Sequence, residues 1–250
     1  MFTKTAKHYD AVYSDKDCPG ESQLLASLVR ERVPDAKTLL DVACGTGRHL
    51  KHLSRQFDCT GIDLDDEMLA IAEDRVPAVA LHSGDMRDFT LDTRFHVVAC
   101  LFSSIGYTKT VENMDRATAN MASHLLLGGI LVIEPWITPE SWIVGKAGSS
   151  TAETDDFIVT RMMIAEPVER GRVVFEHMIG DSGGIHRYPK PTKWAGSLTM
   201  STFWPSKEQV SSPSSSSPVL PVAACISAKN RDWAAYCVVH ARAAPHTGCT

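Results

Sequence analysis

Residues 38–47, running from Thr38 through Asp41-Val42-Ala43-Cys44 to Gly45-Thr46-Gly47, constrain the chain more than any other stretch. A short apolar run ends in two glycines one residue apart, and Leu50 and Leu53 then recur at helical spacing. That order predicts a buried strand, a tight turn and a helix start. Gly45 and Gly47 let the backbone approach a ligand closely. The next apolar run ends at Ile62-Asp63, so a carboxylate stands at the tip of a second strand, placed to accept both ribose hydroxyls of an adenosine. A dinucleotide fingerprint would carry a third glycine at position 50, where this chain has Leu50. The diphosphate-cradling turn is therefore incomplete. A cofactor with a ribose and no phosphates, S-adenosylmethionine (SAM), fits better; an NAD-dependent oxidoreductase is the alternative.

The other segments place this turn in an α/β domain. Leu24, Leu25, Leu28 and Val29 mark one helix face, closed by Pro34. Asp65-Asp66-Glu67 open the helix after the second strand, where acids complement the helix dipole. Val79-Ala80-Leu81 reads as a third strand, leading into Gly84-Asp85-Met86, an acid and a thioether suited to an adenine edge and face. Phe95 to Leu101 reads as a central parallel strand. Its following loop, Phe102 to Tyr107, should face the methyl donor, because ligands of open α/β sheets bind outside the carboxyl ends of strands. A helix over 111–126 stopped by Gly128-Gly129, and a fifth strand over 130–135, complete a doubly wound, mostly parallel sheet.

After Trp136 the pattern changes. Residues 157–163 and 172–178 read as an antiparallel pair around Glu169-Arg170-Gly171, a small β layer over the site. Arg161 and Arg172 in that layer are candidates for a diphosphate, or charges on an exposed strand. Beyond 188 come Pro189, Pro191, Pro205 and a serine-proline tract over 211–218, which predict an irregular, low-complexity tail. The expected division is 1–136, 137–187 and 188–250.

The totals exclude several classes. The chain has 250 residues, 44% of them hydrophobic, and a net charge of −5, which disfavours nucleic acid as a partner. No apolar run approaches the ~20 residues that span a bilayer, and the N-terminus carries no secretory h-region. The seven cysteines show no C-x-x-C spacing, so no metal site is expected and a reducing, cytoplasmic setting is.

Taken together, Tyr9-Asp10, Leu39 to Gly47, Gly84 to Phe89, Phe102 to Gly106 and Glu134-Pro135-Trp136 with Pro139-Glu140 resemble the SAM-dependent N,N-dimethyltransferases of dTDP-linked amino sugars, the desosamine and mycaminose type of macrolide pathways. The resemblance spans roughly residues 9–187. It implies a class I, Rossmann-like methyltransferase fold, SAM as cofactor, a dTDP-amino-sugar substrate and N-methylation in antibiotic biosynthesis. It implies further that Tyr9, Ala43, Asp63, Asp85, Met86 and Leu101 line the SAM pocket, with Tyr107 and Trp136 on the substrate side. His124 matches a family histidine near the substrate amine. It is read as a general base, as a group that positions the amine, or as a cap at its helix end. No membrane partner is expected, and a homodimer is left open. Three departures stand out. Cys18 follows Lys16-Asp17 where the family carries an aromatic residue. The family's extra residues before the Tyr-Asp pair, another tyrosine among them, have little counterpart here, and its last helix, strands and glycine-rich turn have no visible counterpart after 188. Read one base out of frame, with free third positions chosen, residues 217–227 can encode that turn. A frame slip near 188 is therefore expected, and an impaired SAM-binding remnant is a second alternative.

Overall fold

Strand and helix signals of the first half build one twisted parallel sheet, seen in a computed structural model that describes residues 6–134, 143–145, 147–166 and 173–188 and the backbone of two further strands at 223–227 and 235–240. The elements in order are α1 (Ala6–Val12), α2 (Cys18–Arg32), β1 (Thr38–Val42), α3 (Leu50–Leu53), β2 (Asp58–Asp63), α4 (Asp66–Arg75), β3 (Ala80–Ser83), β4 (Phe95–Cys100), a 3-10 turn (Ser104–Thr108), α5 (Val111–Ser123) and β5 (Leu125–Ile133). Then follow β6 (Ala147–Glu153), β7 (Phe157–Ala165), β8 (Val173–Asp181), β9 (Gly184–Tyr188), β10 (Ala223–Ser227) and β11 (Ala235–His240).

The main sheet has the order β10-β11-β5-β4-β1-β2-β3. β1 pairs in parallel with both β2 and β4, so the chain reverses its direction of growth between β1 and β4. That reversal opens the crevice in which ligands of this architecture sit. Successive residues of a strand point to opposite faces, and both faces are covered. Leu39, Val97, Ala99, Ile130 and Val132 pack with Leu25, Val29, Leu50 and Leu53 on one side. Leu40, Val98, Cys100, Leu131 and Ile133 pack with Met114, Ala117 and Met121 of α5 on the other. Two covered faces are why these strands read as continuous apolar runs.

Side-chain caps fix the helix starts. Asp65 accepts from the N–H groups of Glu67 and Met68, and Thr110 from that of Asn113. The expected boundary between α5 and β5 is corrected. Gly128-Gly129 do not stop the helix; α5 ends at Ser123 and the glycines lie inside β5. Gly128 has φ +83°, and a Cβ on Gly129 would come within 2.8 Å of the His96 carbonyl oxygen. The β4–β5 register also shifts between Phe95 and Val97. The glycines therefore serve an irregularity in the ladder.

The second sheet is a four-stranded antiparallel meander, β6-β7-β8-β9. The expected pair is β7 and β8; its turn lies outside the described residues. β6 and β9 carry no apolar alternation, and pair through the backbone. The expectation of an irregular tail is also corrected. β11 pairs antiparallel with β5, Cys237 opposite Ile133, and β10 pairs antiparallel with β11. The exposed ladder groups of β5 supply the physical reason, since an edge strand presents a row of unpaired N–H and C=O groups. The serine-proline tract lies outside the described residues.

Candidate active site

Five residues with positive φ gather at the carboxyl ends of β1 and β4. Ala43 (φ +62°), Gly45 (φ +56°) and Gly47 (φ +74°) follow β1, and Phe102 (φ +51°) and Ser103 (φ +58°) follow β4. Left-handed non-glycine residues are costly and gather where a ligand is bound. A Cβ added to Gly45 meets nothing within 4 Å, so the turn faces open space. Gly47 faces α4 instead, at 3.2 Å from the Ala72 Cβ, and shapes the turn without lining the cavity.

A cavity of about 230 Å³ opens there, lined by Tyr9, Ala43, Gly45, Asp63, Asp85, Met86 and Tyr107 among the expected residues. Ser104, from the loop expected to face the methyl donor, also lines it. So do Leu64, Met68, Thr108, Lys109 and Asn113; ordinary turn and helix residues, they were not singled out as site residues in the sequence. A smaller recess continues from the cavity at Tyr9, Ala43, Gly45 and Ser104, and adds Leu101, Asp41, Cys18, Lys16, Arg48 and His49.

Asp63 is held rigidly. Its Oδ2 accepts from Gly45 N–H at 2.7 Å and its Oδ1 from Asp65 N–H at 2.9 Å. Burial raises its pKa, while those two backbone donors favour the carboxylate. Each oxygen keeps a second lone-pair direction for a ligand hydroxyl. Asp85 is engaged by Arg87, through Nε at 2.9 Å and Nη2 at 2.5 Å, and that guanidinium holds its carboxyl below the usual range. The residue expected at an adenine edge thus already has a cationic partner.

The N-terminal segment roofs the crevice. Thr46 Oγ1 donates to Asp10 at 2.7 Å, and Arg75 ties Asp10 to Thr46. Arg48 donates to the carbonyls of Tyr13 and Lys16. Tyr9 lines both recesses, and burial raises its hydroxyl pKa well above the ordinary value. On its far side α1 meets the second sheet, with His8 edge-on to Phe157 at 4.5 Å. Arg161 lies 4.7 Å over the Tyr13 ring. It lines neither recess, and packs between the roof and Phe175. Trp136 and Arg172 lie outside the described residues.

His124 is corrected. It follows α5 and precedes β5, and its carbonyl accepts from Phe95 N–H at the start of β4. It therefore stands at the amino edge of the sheet, opposite the crevice. Its ring lies 4.4 Å from that of Phe89. Nδ1 bonds the Asn120 carbonyl at 2.8 Å and Nε2 accepts from Leu91 N–H at 3.2 Å. Both ring nitrogens are used by backbone, and 6% of the residue is exposed. Of the three readings of His124, the one that fits is the cap at its helix end.

A methyltransferase domain model matches residues 39–129, the span from β1 into β5. The dTDP-3-amino-3,4,6-trideoxy-alpha-D-glucopyranose N,N-dimethyltransferase of Streptomyces venezuelae is 45% identical over 187 residues, 72% of this chain and 78% of that protein. The dTDP-4-amino-2,3,4,6-tetradeoxy-D-glucose N,N-dimethyltransferase of Saccharopolyspora spinosa is 42% identical over 72% of this chain and 74% of its own length. Among solved structures, DesVI of Streptomyces venezuelae superposes with a TM-score of 0.75 at 32% identity, covering 95% of this chain and 98% of that one. SAM-bound CalS10, an amino pentose methyltransferase from Micromonospora echinaspora, superposes with a TM-score of 0.71 at 31% identity over 93% of this chain and 96% of its own. With a ribose-ready carboxylate beside a glycine turn open to a ligand, and relatives of this kind over most of its length, the chain belongs to the SAM-dependent N,N-dimethyltransferases of dTDP-amino sugars.

Proposed function

We propose that this chain transfers a methyl group from SAM to the amine of a dTDP-linked amino-deoxy sugar, in an antibiotic pathway of the macrolide type. The observation that carries the reading is the Asp63 carboxylate, fixed by Gly45 and Asp65 at the edge of a cavity open on its other side. Asp63 would hold the ribose hydroxyls, Asp85 and Met86 the adenine, and Ala43, Gly45 and Leu101 the amino-acid end in the smaller recess. The bound cofactor supplies an electrophilic methyl on a sulfonium. The protein's part is proximity and orientation, because an in-line displacement needs reacting atoms aligned more than it needs acid or base. Tyr9 closes the crevice over the cofactor and excludes water. Tyr107, from the loop after β4, lines the same cavity, and the reading assigns it to the substrate. The amine enters neutral, and the methylated ammonium releases its proton after transfer, so the reading assigns no general base.

This reading assigns Arg161 to the sugar-nucleotide end, and keeps Trp136 and Arg172 as candidates for the same substrate. Residues 1–136 carry the cofactor, 137–187 cover the substrate, and the tail after 188 is read out of frame. A cytoplasmic enzyme without nucleic-acid or membrane partners is consistent with this chemistry. Mass spectrometry of a panel of dTDP-amino sugars incubated with enzyme and SAM tests the reading. A mass gain of one or two methyls on at least one sugar is expected, and no gain on any of them would refute it. Resequencing the gene tests the frame.

A further inference from the structure

Cys18 has no part in the chemistry above, yet its surroundings are those of a reactive thiol. It is the first residue of α2, a helix of 15 residues, where the N-terminal N–H groups favour an anion. It lines the smaller recess together with Lys16, Arg48 and His49. His49 engages the Cys18 sulfur and, through Nε2, the Glu21 carboxylate at 2.9 Å. Lys16 in turn holds Glu21 at 2.5 Å. Burial opposes a charge on His49, but the sulfur and the carboxylate together raise its pKa to about 10, so the ring is an imidazolium at neutral pH. Thiol, imidazole and carboxylate in that order form the arrangement that activates a sulfur nucleophile. Cys44 gives the internal contrast. It lines the same recess, but burial and the carboxylates of Asp41 and Asp63 push its thiol far up. Burial likewise lifts Cys59 to about 12.

We propose that Cys18, with His49 and Glu21, is a modification site for small electrophiles of the hydroperoxide class, reached through the cofactor recess and shielded when SAM occupies it. The proposal rests on the reading that this recess takes the amino-acid end of SAM. Only 3% of Cys18 is exposed, so large reagents are excluded. In the step, the Cys18 sulfur attacks one peroxide oxygen, an S–O bond forms, and the S–H and O–O bonds break. The leaving oxygen takes the His49 proton and departs as water or an alcohol, and the thiol proton passes to His49 in its place. Sulfur is oxidised by two electrons and the peroxide reduced by two. The sulfenic acid then occupies recess volume, and a thiol reductant restores the cysteine.

The test treats the full chain with hydrogen peroxide, with and without saturating SAM, and maps sulfenic acid on each cysteine by dimedone trapping and peptide mass spectrometry. Cys18 is expected to label about ten-fold faster than Cys44, Cys59 or Cys100, and SAM to slow it by a similar factor. Oxidised protein loses SAM binding by calorimetry and regains it on reduction, whereas Cys18→Ser binds equally before and after peroxide. Cys18 left unlabelled, or equal peroxide damage to Cys18→Ser, would each overturn the proposal. Labelling unchanged by SAM would overturn the shielding. Calorimetry on untreated protein is scored separately: absent SAM binding refutes the site reading, while labelling without SAM still decides the thiol.

Discussion

The chain up to Glu134 and the chain after Tyr188 contribute to the same sheet by different routes. In the first part the central strands β1, β4 and β5 are covered on both faces, so burial demands apolar residues at nearly every position; Leu131 and Val132 of β5 are 0% exposed. In the second part β10 and β11 attach at the open edge of β5, antiparallel, through backbone groups. The curated relative matches 72% of the chain at 45%, while the superposition with DesVI extends to 95% at 32%. Strands buried on two faces leave a pattern in the sequence, and strands recruited by an unpaired edge need leave little.

The largest expected effect comes from ending the chain at Tyr188. Without β11, the ladder groups of Ile130 to Ile133 lose their partners at an apolar edge, which is a template for association between copies. Soluble monodisperse protein should be lost. Size-exclusion chromatography and circular dichroism of the truncated chain decide it. A well-folded monomer would show that the tail strands contribute nothing, and the contrast between the two regions would collapse. A frame-restored tail should raise the melting temperature above that of the given chain if its own strands fit the edge better.

Asp63→Ala comes next. It removes an acceptor from Gly45 N–H and Asp65 N–H and from both ribose hydroxyls. Losing two hydrogen bonds to a charged group costs about 3–6 kcal/mol, so SAM affinity should fall a hundred-fold or more by calorimetry. Asp85→Ala should cost roughly ten-fold, because Arg87 already shares that carboxylate. Affinity within about two-fold of the unmutated chain for Asp63→Ala would remove the ribose assignment.

The site was legible where a motif is tied to a strand end. Ala43, Gly45, Asp63, Asp85, Met86 and Tyr107 meet at one cavity, as the glycine turn and strand order imply. Lys109 and Asn113 were not legible, because a loop residue and a first-turn asparagine look like ordinary turn chemistry. His124 was misplaced for a topological reason. In a parallel sheet each crossover helix returns to the amino edge, so a residue just before β5 stands far from the crevice. Gly128-Gly129 were read as a helix stop because a strand irregularity uses the same residue type.

Asp41 sharpens the picture of the signal-rich half, since its buried carboxyl comes from the same motif. Burial raises its pKa to about 7, with Asp63 adding in the same direction and His49 opposing. Between about pH 4 and 7 the native state keeps a proton that the unfolded chain has released, so stability falls as pH rises through that window. Three units bound the loss at roughly 4 kcal/mol. Asp41→Asn should flatten that limb in urea titrations across pH. It should leave the fall above about pH 6.5 that His49 contributes, whose folded pKa is also raised. An unchanged slope from pH 4 to 7 would show that Asp41 is ionised in the native state.

The smallest effect separates the two edges of the same sheet. His124→Ala leaves Leu91 N–H without its partner, takes from the Asn120 carbonyl one of two side-chain contacts, the Ser123 hydroxyl keeping the other at 2.7 Å, and opens space beside Phe89. The cost should be about 1–3 kcal/mol of stability, read as a lower melting temperature. Turnover measured well below that melting point should keep the pH profile of the unmutated enzyme, because no proton passes through an imidazole whose nitrogens are both taken by backbone. A profile that loses its acid limb, with stability unchanged, would return His124 to the chemistry and place it at the carboxyl edge. Asn at this position should recover part of the melting temperature, since its amide can serve one of the two backbone groups. That recovery would mark the role as packing and capping, the same work Asp65 and Thr110 do at their helix starts.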